Sequence, residues 1–119
     1  MSQERIEAFK AMAEQQPDQE MIWYGLANEY VKLELWNDAA DALTRVVKLN
    51  ADFTAAYQML GTALLNQGQR EAARRAWTEG IEVANRTGAW KARQHMESLM
   101  ANLEATAITT TTTGGEFCE

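Results

Sequence analysis

The sequence predicts an all-α chain, a stack of about six antiparallel helices. Three observations point there. A single proline, Pro17, and seven glycines interrupt 119 residues that are otherwise rich in Ala, Leu, Glu, Gln and Arg, the residue types that lose least on entering a helix. Apolar residues recur at i, i+3, i+4 and i+7, the stripe of an amphipathic helix. The chain also repeats itself with a period of 34 residues, and such a period marks an array of small helical units.

The repeat is read by sliding the chain along itself. Trp23 falls on Tyr57, Leu26 on Leu60, Ala27 on Gly61 and Tyr30 on Leu64. Ala39 falls on Ala73, Leu43 on Trp77, Val47 on Ile81 and Leu49 on Val83. Large positions meet large ones and small meet small, so the match lies in packing rather than in surface composition.

Taken in order, residues 2–15 form a half-unit, because Phe9, Met12 and Pro17 stand one period before Leu43, Val46 and Ala51. A helix over 19–33 carries Trp23, Leu26, Ala27, Tyr30 and Val31 on one stripe, with Asp18 as its expected N-cap. A helix over 37–49 carries Ala39, Ala42, Leu43, Val46 and Val47, with Asn37 as N-cap. The next pair spans 53–67 and 69–86, with Asp52 as N-cap and Gly68 as the left-handed turn residue between them. A last helix over 89–105 presents Trp90, Ala92, Met96, Leu99, Met100 and Leu103. Gly80, inside a helix, is expected to allow close approach of that last helix. The resulting organisation is one domain, 1–105, made of a half-repeat 2–17, repeats 20–53 and 54–87 and a capping helix 88–105. A Thr/Gly-rich tail, 106–119, follows and is read as extended. Whether that tail is native or appended is left open by the sequence.

The order Trp23, Leu26, Ala27, Tyr30, Ala39, Leu43, Val46 resembles the tetratricopeptide-repeat (TPR) family, and so does Tyr57, Leu60, Gly61, Leu64, Ala73, Trp77, Gly80. Pro17 matches the proline that closes a unit of that family. Ala51 and Asn85 depart from it, and Glu34 stands where a turn glycine is usual. The resemblance covers about residues 2–105 and implies a TPR-type α-solenoid with a right-handed superhelical twist.

Composition excludes several function classes. Eleven Lys and Arg stand against 17 Asp and Glu, a net charge of −6. Residues 1–60 alone hold 5 bases and 10 acids. A nucleic-acid partner is therefore not expected, since phosphate binding needs a basic face. No apolar run reaches the ~20 residues of a membrane span, and no secretory signal is visible at the N-terminus; no membrane association is expected, and the location is expected to be cytoplasmic. The basic cluster Arg70, Arg74 and Arg75, like the acidic residues Glu29, Glu34 and Asp38, reads as solvated surface. One cysteine, Cys118, and one histidine, His95, give neither a metal framework nor a nucleophile–base pair, and His95 is expected to cap or pack near the last helix. No catalytic residue, cofactor or metal is expected, and the protein is not expected to be an enzyme.

The resemblance implies instead a protein-interaction adaptor with a concave groove lined by the first helix of each unit. Carried over place by place, the groove residues are Tyr24, Asn28, Val31 and Lys32, then Gln58, Thr62, Leu65 and Asn66, then Arg93 and Met96. Met21, Ala55, Ala89, Ala92 and Met100 face the groove by the same carry-over. Amide and hydroxyl side chains suit the unpaired backbone of an extended peptide. In a subset of the family a Lys, Asn, Asn, Lys, Arg clamp grips a partner's C-terminal carboxylates. Asn28 and Arg93 match it, whereas Tyr24, Met59 and Ala89 do not, which argues against that ligand here. The alternative reading is a self-assembly module, a homo-oligomer through the C-terminal helix or tail. Trp90, Met96 and Met100 motivate it, because no later hairpin would cover them. Residues 109–117 are further expected to be extended and to dock on a groove, with Phe117 near Tyr24 or Leu65.

Overall fold

The computed structural model describes the backbone of Ser2–Glu116 and the side chains of residues 3–104. Six helices follow one another: α1 (Ser2–Gln15), α2 (Glu20–Lys32), α3 (Trp36–Leu49), α4 (Thr54–Asn66), α5 (Arg70–Thr87) and α6 (Trp90–Glu116). No strand is present among the described residues. Each helix packs on its neighbours in sequence, giving an elongated stack of 61 × 33 × 19 Å. That is the geometry expected when no hairpin can bury its stripe alone.

The small positions explain how closely the helices approach. Ala27, Ala39, Ala56, Ala63, Ala73 and Ala84 have no exposed surface at all. A Cβ built on Gly25 would stand 2.6 Å from Phe9 Cε1, so α1 and α2 meet at that glycine. On Gly61 it would run into the Trp77 indole, and on Gly80 it would stand 2.5 Å from Met96 Sδ and 2.7 Å from Tyr57 Cβ. The expected role of Gly80 thus holds: α6 lies against it. The core divides into two clusters along the stack. One gathers around Ile6, Leu26, Leu43, Val46 and Leu60, and the other around Tyr57, Trp77, Val83, Met96 and Leu103.

The helix ends differ from the expected capping. α2, α3 and α4 begin after Gln19, Leu35 and Phe53, none of which makes a side-chain capping bond. Asp18 and Asp52 therefore stand one residue outside their helices. The Asp52 carboxylate is instead engaged by Arg86 of α5, while its amide donates to Asn50 Oδ1 at 3.0 Å. Asn37 lies inside the first turn of α3 and accepts from Gln67 Nε2 at the end of α4. These polar side chains join neighbouring hairpins rather than cap their own helices.

The two hairpin turns share one geometry. Gly68 has φ +84°, its amide donates to Leu65 O at 2.9 Å, and that of Gln69 donates to Leu64 O at 2.9 Å. One period earlier Glu34 has φ 58°, with bonds of 2.9 Å from its own amide to Val31 O and from Leu35 to Tyr30 O. The left-handed region costs an L-residue roughly 1–2 kcal/mol, against the ~0.5–1 kcal/mol entropic handicap of glycine. Glu34→Gly is accordingly expected to stabilise the fold by up to about 1 kcal/mol, read as a higher urea midpoint at unchanged slope. A lower midpoint would show that the Glu34 side chain holds the turn.

The last helix departs most from expectation. α6 continues through Glu116, where an extended tail over 106–119 was expected. No proline stops the ladder, each threonine gives up only about half a kcal/mol against alanine, and extending an existing helix needs no new nucleus. A helix through residue 116 is incompatible with the extended, groove-docked segment expected over 109–116. Phe117 and Cys118 lie outside the described residues.

Candidate functional site

The candidate site is built on alternate helices of the stack. On α2, Tyr24, Asn28 and Val31 stand at i, i+4 and i+7, one stripe of the helix; all three are half-buried. The Tyr24 ring meets Phe53, at the entry to α4, with centroids 4.7 Å apart. Asn28 Nδ2 donates to Tyr24 O at 3.1 Å. On α4, Gln58, Thr62 and Leu65 form the corresponding stripe and are again half-buried. Thr62 Oγ1 donates to Gln58 O at 3.2 Å, and Asn66 Nδ2 to Thr62 O at 2.9 Å. Asn28, Thr62 and Asn66 each place one donor on their own helix, which leaves their oxygens as acceptors and a second N–H on each asparagine.

The structure joins some of the expected groove residues and separates others. Asn28 is tied to Tyr24, and Asn66 through Thr62 to Gln58. Asn66 also lines a cavity of about 300 Å³ with Leu35, Trp36, Asn37 and Gln67, at the turn end of the hairpins. Lys32 is exposed and pairs with Glu29 at 3.3 Å. Arg93 donates from Nη1 to Asn85 Oδ1 at 2.9 Å, bracing the start of α6 on the end of α5. Met96 has no exposed surface. Its thioether fills the space above Gly80, so it belongs to the core and not to a ligand-facing wall.

Other expected surface residues prove to be structural. Arg70 Nη2 donates to Leu103 O at 2.9 Å, and Arg74 pairs with Glu104 and with Glu71 at 3.6 Å. Two members of the basic cluster thus clip α5 to α6. His95 is exposed on α6, beside Trp90, Lys91, Gln94 and Ser98 around an open cavity of about 430 Å³, instead of packing inward. Tyr57 donates to Ala51 O at 3.0 Å, and its burial, followed by the charge of Glu79, raises its pKa above the ordinary tyrosine value. Among the described residues no three His, Cys, Asp or Glu are grouped so as to hold a metal ion, and no helix is long and apolar enough to cross a membrane.

Glu29 was also read as solvated surface and is not. Glu29 is only 5% exposed. Its Oε2 lies 3.6 Å from Arg5 Nη1 and 3.3 Å from Lys32 Nζ. The signal was present in the repeat, which places Glu29 on the buried Ala63.

Comparison with known proteins supports the architecture. No family model matches the chain. A curated TPR repeat-containing protein of Pseudomonas aeruginosa is 27% identical over 99 residues, covering 83% of this chain and 94% of its own. The solution structure of protein BPP2914 from Bordetella parapertussis superposes with a TM-score of 0.74 at 25% identity, over 85% of this chain and 88% of that one. The TPR2B domain of yeast Sti1, solved as a complex with pHsp70, superposes with a TM-score of 0.78 at 14% identity, over 85% of this chain and 81% of that one.

Proposed function

We propose that the chain, a tetratricopeptide-repeat protein, is an interaction adaptor that holds a peptide or protein segment against the α2 and α4 stripes. The observation that carries the reading is the pair of matching, half-buried stripes, Tyr24–Asn28–Val31 and Gln58–Thr62–Leu65, on alternate helices of the stack. Each carries both hydrogen-bonding and apolar side chains, which suits a segment whose backbone needs partners and whose side chains need apolar cover. The Sti1 domain, similar in fold, is solved with pHsp70, and its binding of a protein partner supports the general reading.

The ligand chemistry proposed for this chain differs from a carboxylate clamp. Tyr24 and Ala89 occupy the two lysine places, and Arg93 is engaged by Asn85. Recognition therefore rests on backbone hydrogen bonds and apolar contact instead of two charge-assisted pairs. Nothing in this reading calls for catalysis.

Replacing Asn28 and Asn66 together by alanine tests it. Each loses a hydrogen-bonding group at the protein surface, so the pair is expected to weaken a captured ligand by about 1–2 kcal/mol while folding stability moves little. Affinity measured by calorimetry, beside a urea melt of the same variant, separates the two effects. Unchanged affinity would remove these residues from the site.

The self-assembly alternative, a homo-oligomer through the C-terminal helix or tail, rests on Trp90 more than on the two methionines. Met96 is covered by α5 and Met100 is half-buried, leaving Trp90 as the exposed large side chain of the three. The positions of α6 that correspond to Tyr57, Leu60, Gly61 and Leu64 are Lys91, Gln94, His95 and Ser98. A polar face at those places supports a capping role for α6.

A further inference from the structure

The exposed side of α3 carries a charge pattern that is its own complement. Asp38, Asp41, Arg45 and Lys48 stand at i, i+3, i+7 and i+10, one stripe of the helix, and all four are exposed. Acids occupy the first half of the stripe and bases the second. None of the four forms an ion pair within the chain among the described residues. The Arg45 guanidinium instead lies 4.9 Å from the centre of the Trp23 ring. The stripe borders a cavity of about 330 Å³ whose other wall is Trp23, Leu26 and Tyr30 of α2. A second cavity, of about 440 Å³, adjoins it at Trp23, Leu26 and Arg45 and reaches Lys10 and Glu14 of α1. The two form an open groove between α1 and α3. The charge order is not a product of the repeat: one period on, the same places hold Ala72, Arg75, Glu79 and Glu82, and Ala72 has no charge to set against Glu82.

We propose that this groove is an interface between two copies of the chain, which pair through α3 in antiparallel fashion about a two-fold axis. With the axis at Leu43, Asp38 of each copy faces Lys48 of the other, and Asp41 faces Arg45. The members of these pairs stand five and two residues on either side of Leu43. A contact between identical surfaces requires this, a patch that matches itself after a half-turn. Parallel pairing in register would set acid on acid and base on base. The stripe is neutral as a whole, so a uniformly basic or uniformly acidic partner would meet as many repelling charges as attracting ones. Exposed ion pairs contribute little singly. The stems of Arg45 and Lys48 from the second copy add apolar cover over the half-buried Trp23, and the result is a weak, transient pair. Trp23, Leu26 and Tyr30 lie on a different stripe of α2 from Tyr24, Asn28 and Val31, so the pairing stands or falls independently of the function proposed above.

The test is sedimentation velocity of the intact chain between ~10 µM and ~1 mM, the range of a weak pair. The wild type is expected to shift from monomer toward dimer as concentration rises. Asp38→Lys with Arg45→Asp keeps the net charge at −6 and sets like charges opposite each other in both pairs; this variant is expected to stay monomeric throughout. Asp38→Lys with Asp41→Arg makes the stripe wholly basic, and Arg45→Glu with Lys48→Glu makes it wholly acidic. Each alone is expected to be monomeric, and their equimolar mixture to form a heterodimer about tenfold tighter than the wild-type pair. All four positions are exposed, and a circular dichroism melt of each variant checks that the fold is kept. A wild type that remains monomeric at ~1 mM would overturn the proposal, as would a net-neutral exchange variant that associates as strongly as the wild type. A dimer lost on Trp90→Ala but kept in the stripe variants would put the contact on α6 and overturn it equally.

Discussion

Trp77→Ala is expected to destabilise the protein by about 3–5 kcal/mol, the range for removing a large aromatic side chain from a core. Trp77 is 1% exposed and belongs to the cluster with Tyr57, Val83, Met96 and Leu103. Its indole lies against Gly61, and Nε1 donates to Gln58 O at 3.0 Å. The substitution removes the ring, the hydrogen bond and the surface that holds α4 and α5 together. Urea unfolding followed by far-ultraviolet circular dichroism measures the loss. A change below about 1 kcal/mol would mean that the second unit does not depend on this residue.

Gly61→Ala is expected to cost about 2–3 kcal/mol, although alanine gains roughly 1 kcal/mol over glycine in a helix. The new methyl group would enter the space of the Trp77 ring, which is buried and hydrogen-bonded. The first unit solves the same contact with Ala27 and Leu43, both fully buried. Gly61→Ala is therefore expected to stabilise the protein when combined with Trp77→Leu, reversing its sign. The coupling is read from a double-mutant cycle. Additive effects of the two substitutions would show that the two units do not share one packing rule.

The fold was legible because packing repeats. The pairs Ala27 with Gly61 and Leu43 with Trp77 announced where helices approach and what fills the space between hairpins, and the observed helices begin within a residue of expectation. Capping was less legible, since Asp52 and Asn37 bond to the neighbouring hairpin, a partner that local sequence does not reveal. The end of α6 was misread from composition, because a run of threonine weakens a helix without breaking it.

The candidate site was legible in part. The stripes on α2 and α4 follow from helical spacing alone. Met96 was assigned to a ligand-facing wall because the phase of the last helix lacked a following unit to fix it; the depth of Gly80 draws that side chain inward. Glu29 was passed over as one acid among many. Only the comparison with Ala63 shows that a charge occupies a place built for a methyl group.

Binding of a segment against the α2 and α4 stripes would leave an NMR footprint. A ligand selected from a random peptide library against the intact protein would be titrated into the ¹⁵N-labelled chain. Shifts are expected to concentrate on Tyr24, Asn28, Gln58, Thr62 and Leu65. Shifts concentrated on the helices α3 and α5, with those five residues unmoved, would contradict it.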